Sequence, residues 1–229
     1  MKTLMHRFSV AGLGLLLASS AAWADGPLLQ EGFDGQGLPA GWSVANFSDS
    51  PASEGWFRPA SPDDTFSAQA GAANSYIATS VFVGVTDANG NPTGRIDAML
   101  ATPVLSLADA TVLNFSTRTV SGNPFGESLH IGAIVAGSFV ELLTINPGMT
   151  AGGFPEQWTS YSVTLPAQGE GITGRYYFEY LIPDAQVAGN FIGLDTVSVS
   201  AVPEPGSAGL LLAGSAVLLA GLRRRSLRA

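Results

Sequence analysis

The chain has 229 residues, a formal net charge of −8 and no cysteine, which excludes a disulfide framework, thiol chemistry and any zinc site built on cysteine. The charge is unevenly placed: residues 25–201 hold only Arg58, Arg95, Arg118 and Arg175 against 17 of the 18 acidic residues, a net −13. A body so poor in Lys and Arg is excluded as a nucleic-acid binder, because phosphate contacts need those residues, while its acidity suits solubility and is compatible with divalent cations and neutral sugars.

The chain opens with Lys2, His6 and Arg7, an apolar stretch from Phe8 to Ala18, and Ala22-Trp23-Ala24. A basic start, a short apolar core and a small-x-small site make residues 1–24 a secretory signal peptide, expected to form a helix and to be cut by signal peptidase after Ala24. Residues 25–201 then form one domain, long enough to bury a core. Within it, Ser48 to Gly71 is rich in Pro, Ser, Asp and Ala and reads as a long surface loop interrupted by Gly55-Trp56-Phe57. Strands follow: Thr111–Thr117, Glu127–Val135, Phe139–Ile145, Tyr161–Leu165, Arg175–Ile182 and Asn190–Ser200 are β-branched, aromatic or alternating runs. Asp87–Pro92, Ser121–Pro124, Asn146–Gly148 and Gly169–Gly171 are turn clusters. With no amphipathic helix of ten residues in the body, the pattern predicts an all-β fold, an antiparallel jelly-roll β-sandwich of concanavalin-like type.

The C-terminal segment, 202–229, departs from this pattern. Ser207 to Leu222 is a run of 16 small and apolar residues, about 24 Å long as a helix, against about 30 Å of bilayer hydrocarbon. Arg223, Arg224, Arg225 and Arg228 follow, a bias that leaves such residues on the cytoplasmic side and the body outside the inner membrane. Before the run stands Pro203-Glu204-Pro205, which continues neither strand nor helix and holds the chain extended. This order of parts resembles the PEP-CTERM sorting signal of Gram-negative bacteria. The resemblance implies transient insertion of 207–222 in the inner membrane, cleavage near Pro203-Glu204-Pro205 by an exosortase, and transfer to the cell surface or an exopolysaccharide-containing matrix.

The body carries a second resemblance. Glu31-Gly32-Phe33-Asp34, Leu38-Pro39-Ala40-Gly41-Trp42, Trp56, Leu100-Ala101-Thr102-Pro103-Val104-Leu105 and Ile192-Gly193-Leu194-Asp195-Thr196-Val197 occur in an order similar to choice-of-anchor J domains, which are related to cleaved-adhesin and MAM-like jelly rolls. It implies neighbouring first and last strands, hence approach of Glu31 or Asp34 to Asp195, and a structural Ca²⁺ held there by hard oxygen ligands. Where the family has a basic Asp-Arg-Leu-like strand, this chain has Glu127-Ser128-Leu129-His130.

Few residues suit catalysis. His130 is the body's only histidine, alternation points it to solvent, and no G-x-S-x-G elbow is present, so no catalytic residue is assigned and no cofactor is required. Glu179, among Tyr176, Tyr177, Phe178 and Tyr180, is assigned with Tyr177 to the solvent face, the other three to the core. Trp42 is assigned to the core; Trp56 and Trp158 are the candidate sugar-stacking residues, with Trp56 expected to be exposed. The reading is an exported matrix or adhesion protein, its sandwich associating with polysaccharide. The alternatives are a carboxylate-based glycan hydrolase or lyase and a structural spacer without ligand.

Overall fold

The computed structural model describes residues 26–60 and 65–202. The expected signal peptide and the sorting segment from Pro203 onward, with both expected terminal helices, lie outside the described residues. Among the described residues no helix is long and apolar enough to cross a membrane.

Eleven strands run in order: β1 (Leu29–Glu31), β2 (Ser43–Asn46), β3 (Ile77–Ser80), β4 (Ile96–Ala101), β5 (Leu105–Ser106), β6 (Thr111–Thr119), β7 (Leu129–Val135), β8 (Ser138–Ile145), β9 (Thr159–Leu165), β10 (Thr173–Ile182) and β11 (Phe191–Ala201). They form two antiparallel sheets. One has the order β1-β11-β6-β9, with β3 also on β11; the other has β2-β4-β10-β7-β8, with β5 also on β10. This is the expected sandwich. The six expected strands are β6 to β11, each within two residues at either end. The first and last strands are neighbours, with Glu31 opposite Val197.

Alternation builds the core. On β10, Tyr176, Phe178, Tyr180 and Ile182 are fully buried between the sheets, while Arg175, Glu179 and Leu181 are on the opposite face and only partly covered. Tyr177 shares that outer face but does not meet solvent as expected: it is 4% exposed, packed edge-on against Phe139 of β8. Phe178 packs edge-on against Phe115 of β6, centroids 5.2 Å apart, which ties the two sheets together. On β11 the parity changes part-way. Ile192 and Leu194 are buried, then Val197 and Val199; a bulge between Asp195 and Ser198 makes the switch, with Thr196 at φ 51°.

The loop from Ser48 onward is not the free surface segment its composition suggests. Phe57 and Ala78 exchange two backbone hydrogen bonds of 2.8 Å, and Ala52 N–H donates to Val83 O at 2.8 Å. This docking carries Trp56 inward. The expectation of an exposed Trp56 is therefore corrected: it is 4% exposed, and its indole N–H donates to Ala98 O at 2.9 Å. The rings of this stretch are worth more in the core than in water, since a buried aromatic side chain removes some 150–250 Å² from solvent. Trp42 is buried as expected, edge-on to Phe33 at 5.2 Å.

Candidate functional site

The most built surface feature lies at one end of the sandwich, where β3 runs into a short 3₁₀ turn, Val81–Val83. Ser80 caps the turn, its Oγ accepting from Phe82 N–H at 3.2 Å. Val81 and Val83 are buried and anchor the turn, so Phe82 between them is thrust outward at 57% exposure. Phe82 stands between two cavities. One, of about 490 Å³, is lined by Asp87, Asn91, Phe125, Gln186 and Asn190, among others. The other, of about 460 Å³, is lined by Ser53, Glu54, Trp56, Phe57 and Ser80. Phe125 and Phe57 are 42% and 39% exposed at their rims.

The wall behind the first cavity is polar and hydrogen-bonded. Buried Glu127 accepts from Tyr180 Oη–H, from Asn123 Nδ2 at 2.8 Å and from Thr119 Oγ1 at 3.2 Å. Tyr180 Oη in turn accepts from Asn190 N–H at 3.0 Å, and Asn190 Nδ2 donates to Asn123 Oδ1 at 3.3 Å. Burial pushes the Glu127 carboxyl above its ordinary range, against the downward pull of these donors. The network locks the loops that carry Asn123, Phe125 and Asn190. Gly189, at φ +82°, fits only because it has no Cβ: one would sit 2.5 Å from Val81 Cγ1 and 2.8 Å from Tyr180 Oη. At the front, Asp87 accepts from Asn89 N–H and Asn91 N–H at 2.8 and 2.9 Å and from Asn91 Nδ2 at 3.2 Å. These bonds, led by those of Asn91, hold its carboxyl below the usual value.

A row of titratable groups crosses the outer face of the six-stranded sheet. Glu179 on β10 is paired in register with His130 on β7, which is paired with Thr144 on β8. His130 Nδ1 lies 2.9 Å from Glu141 Oε2 and 3.2 Å from Thr144 Oγ1. On the other side Glu179 meets Asp97 of β4, whose Oδ2 pairs with Arg95 and whose buried Oδ1 has no hydrogen-bond partner. Burial, then the charge of Asp97 and a hydrogen bond with it, push Glu179 up to about 7.

No protein-family model and no curated protein sequence matches the chain. Solved structures do match it. The K1 cleaved adhesin domain of Lys-gingipain from Porphyromonas gingivalis W83 aligns at TM-score 0.55 and 24% identity, over 76% of this chain and 98% of that one. The K3 domain of the same protein aligns at 0.53 and 24%, over 76% and 96%. Its K2 domain aligns at 0.51 and 18%, over 75% and 98%. The chain has the fold of these cleaved adhesin domains.

Within this cleaved-adhesin fold the candidate residues separate. Asp195 is fully buried on β11 beneath the loop 65–75; its Oδ2 accepts from Gln69 and Ala70 N–H at 2.8 and 3.1 Å, and its Oδ1 from Thr196 N–H at 2.6 Å. Burial pushes it up to about 6, with nearby Asp34 adding a smaller upward push. Glu31 instead accepts from Phe33 N–H at 2.7 Å, in its own turn. Among the described residues no three His, Cys, Asp or Glu side chains converge as a metal cluster. Trp158 donates its indole N–H to Ser67 O at 2.8 Å and packs edge-on to Phe66 and Tyr76. Both Phe66 and Trp158 lie on Gly193, where a Cβ would come within 2.8 and 3.0 Å of their rings. Trp158 thus fastens the same loop as Asp195 does. Arg118 stacks over Phe66, 4.3 Å from its centroid.

Sequence reasoning missed the Phe82 site. A single Phe between two valines at the end of the mixed run Ile77–Val83 gives no signal of exposure. Two signals touch it in advance: the Asp87–Pro92 turn cluster holds Asp87, Asn91 and Pro92 of the first cavity, and Trp56, a candidate sugar-stacking residue, lines the second as a buried ring and not an exposed one.

The acid groups set a pH dependence. Asp and Glu ionise near 3.9 and 4.3 in an unfolded chain, against about 6 for Asp195 and about 7 for Glu179 here. Between about pH 4 and pH 7 the native state holds protons that the unfolded chain has released, so stability is full below that window and falls as pH rises through it. The melting temperature at pH 5 is expected to exceed that at pH 7.5 by at least about 2–4 °C, the shift that ~1 kcal/mol produces in a domain of this size. Glu179→Gln should shrink the difference. A melting temperature that rises from pH 5 to 7.5 would contradict the assignment.

Proposed function

We propose that the protein is an exported surface or matrix component whose sandwich binds saccharide at the Phe82 site. In this reading residues 1–24 direct export, 25–201 are the binding domain, and 202–229 are the sorting signal, recognised by an exosortase through Pro203-Glu204-Pro205. The single observation that carries the binding role is Phe82: an aromatic ring held out by a capped turn, at 57% exposure, between two cavities edged by amide and hydroxyl side chains. Aromatic faces pack on the apolar faces of sugar rings, and a few fixed polar groups give orientation, which is the usual composition of a small-molecule site. The cleaved adhesin domains named above supply the fold that this reading extends to adhesion.

Binding is favoured over hydrolysis by how the acids are used. Asp87 spends both oxygens on its own turn, and Glu127 lies behind the wall. Glu179 and Asp97 line neither cavity, and among the described residues Glu54 is the one acid that lines the second.

We carry forward a structural Ca²⁺ as a second proposal, with Asp34 and Asp195 as its carboxylates. Asp195 already accepts three N–H groups, leaving about one of its four lone-pair positions for a cation. The ion would offset the repulsion between the two acids.

Three measurements check these readings. Immobilised polysaccharides should retain the protein, and Phe82→Ala should weaken that binding at least tenfold while leaving the melting temperature unchanged; wild-type retention by the variant removes the site. Millimolar calcium should raise the melting temperature above that in EDTA, and equal values dismiss the ion. The intact mass of protein taken from the cell surface should lack Ser207–Ala229; a retained Arg223–Arg225 segment overturns removal of the tag.

A further inference from the structure

Resting on that reading of the Phe82 site, the chemistry of its two cavities narrows the ligand. We propose that the site takes an uncharged saccharide chain of at least two rings, lying across Phe82 with one ring in each cavity.

Charge is the first argument. The charged side chains at the two cavities are Asp87 and Glu54, both acidic. The body's four arginines are committed elsewhere. Arg58 bonds Phe33 O and Asn74, Arg95 bonds Asp97 and Phe47 O, Arg118 bonds Glu156 O and Thr119 O, and Arg175 bonds Ser43. A uronate or sulfated sugar would enter a −13 body and find no guanidinium to pair with, where recognition of such groups calls for one. Hydroxyl groups meet no such penalty. Gln186 makes no side-chain hydrogen bond among the described residues, and the side chains of Asn91 and Asn190 use only their Nδ2–H groups internally, so the side-chain carbonyl oxygens remain to accept from sugar hydroxyls.

Shape is the second. Among the described residues Phe82 alone lines both cavities. Each cavity is of small-molecule size and open to solvent, so a chain can enter from one and leave through the other. The two are not equivalent. The first presents three amide side chains and the rim ring of Phe125. The second has an apolar floor of Trp56 and Val83 and the rim ring of Phe57. One ring would be read through its hydroxyls and the next held by packing. A ligand filling one cavity alone would leave the other face of Phe82 in water.

A microarray of neutral hexose and pentose polymers beside polyuronates and sulfated polymers, probed with the full chain, separates the outcomes. Neutral polymers are expected to bind. For the strongest of them, affinity should rise at least tenfold from one ring to three. Phe125→Ala and Phe57→Ala should each weaken the four-ring oligomer, while a single ring responds to one of the two variants; melting curves verify that both variants fold. Binding confined to charged polymers, or a single ring held as tightly as four, overturns this inference and leaves saccharide binding standing. Binding to no polymer overturns both.

Discussion

Everything in this molecule depends on which side of β10 faces inward. Tyr176, Phe178, Tyr180 and Ile182 fill the space between the sheets, and a slip of one residue would put Arg175 and Glu179 there instead. The choice also positions the surface chemistry. Inward placement of Phe178 meets Phe115 across the core. Inward placement of Tyr180 brings its hydroxyl to Glu127 and Asn190, so the same strand that holds the sheets together stiffens the loops behind the first cavity. Outward placement of Glu179 sets it beside Asp97 and His130.

Two buried acids fasten loops to the sandwich. Asp195 is covered because the loop 65–75 lies over the outer face of β11, held by its backbone N–H groups on the carboxylate and by Phe66 and Trp158 on Gly193. The bulge after Asp195 lets β11 keep Val197 and Val199 in the core beyond that point. Burying a carboxylate is costly unless it is hydrogen-bonded, and three backbone donors supply that compensation. Glu127 is treated in the same way by three side-chain donors. Both acids thus fasten loops to the sandwich, and both are raised in pKa because desolvation outweighs the bonds they accept.

The site and the core are coupled through a short turn. Val81 and Val83 belong to the core and Phe82 does not, because a 3₁₀ turn projects three successive side chains in different directions. Ser80 marks the end of β3 by capping the turn that carries Phe82.

Much was determined by the sequence alone. Period-2 alternation is local, so β6 to β11 and the inward set of β10 could be read from residue order. The turn at Asp87–Pro92 and the acidic balance of the body are equally local or compositional. Strands of two to six residues, β1 to β5, carry too few periods for that signal. Only the tertiary structure decided that Trp56 is buried, that Phe82 is exposed, that Asp195 is met by backbone amides of residues more than a hundred positions away, and that Asp97 lies near enough to Glu179 to push its carboxyl up. Each of these depends on which distant segment docks where. That is settled by the joint burial of rings and the joint satisfaction of polar groups, which no window of sequence contains.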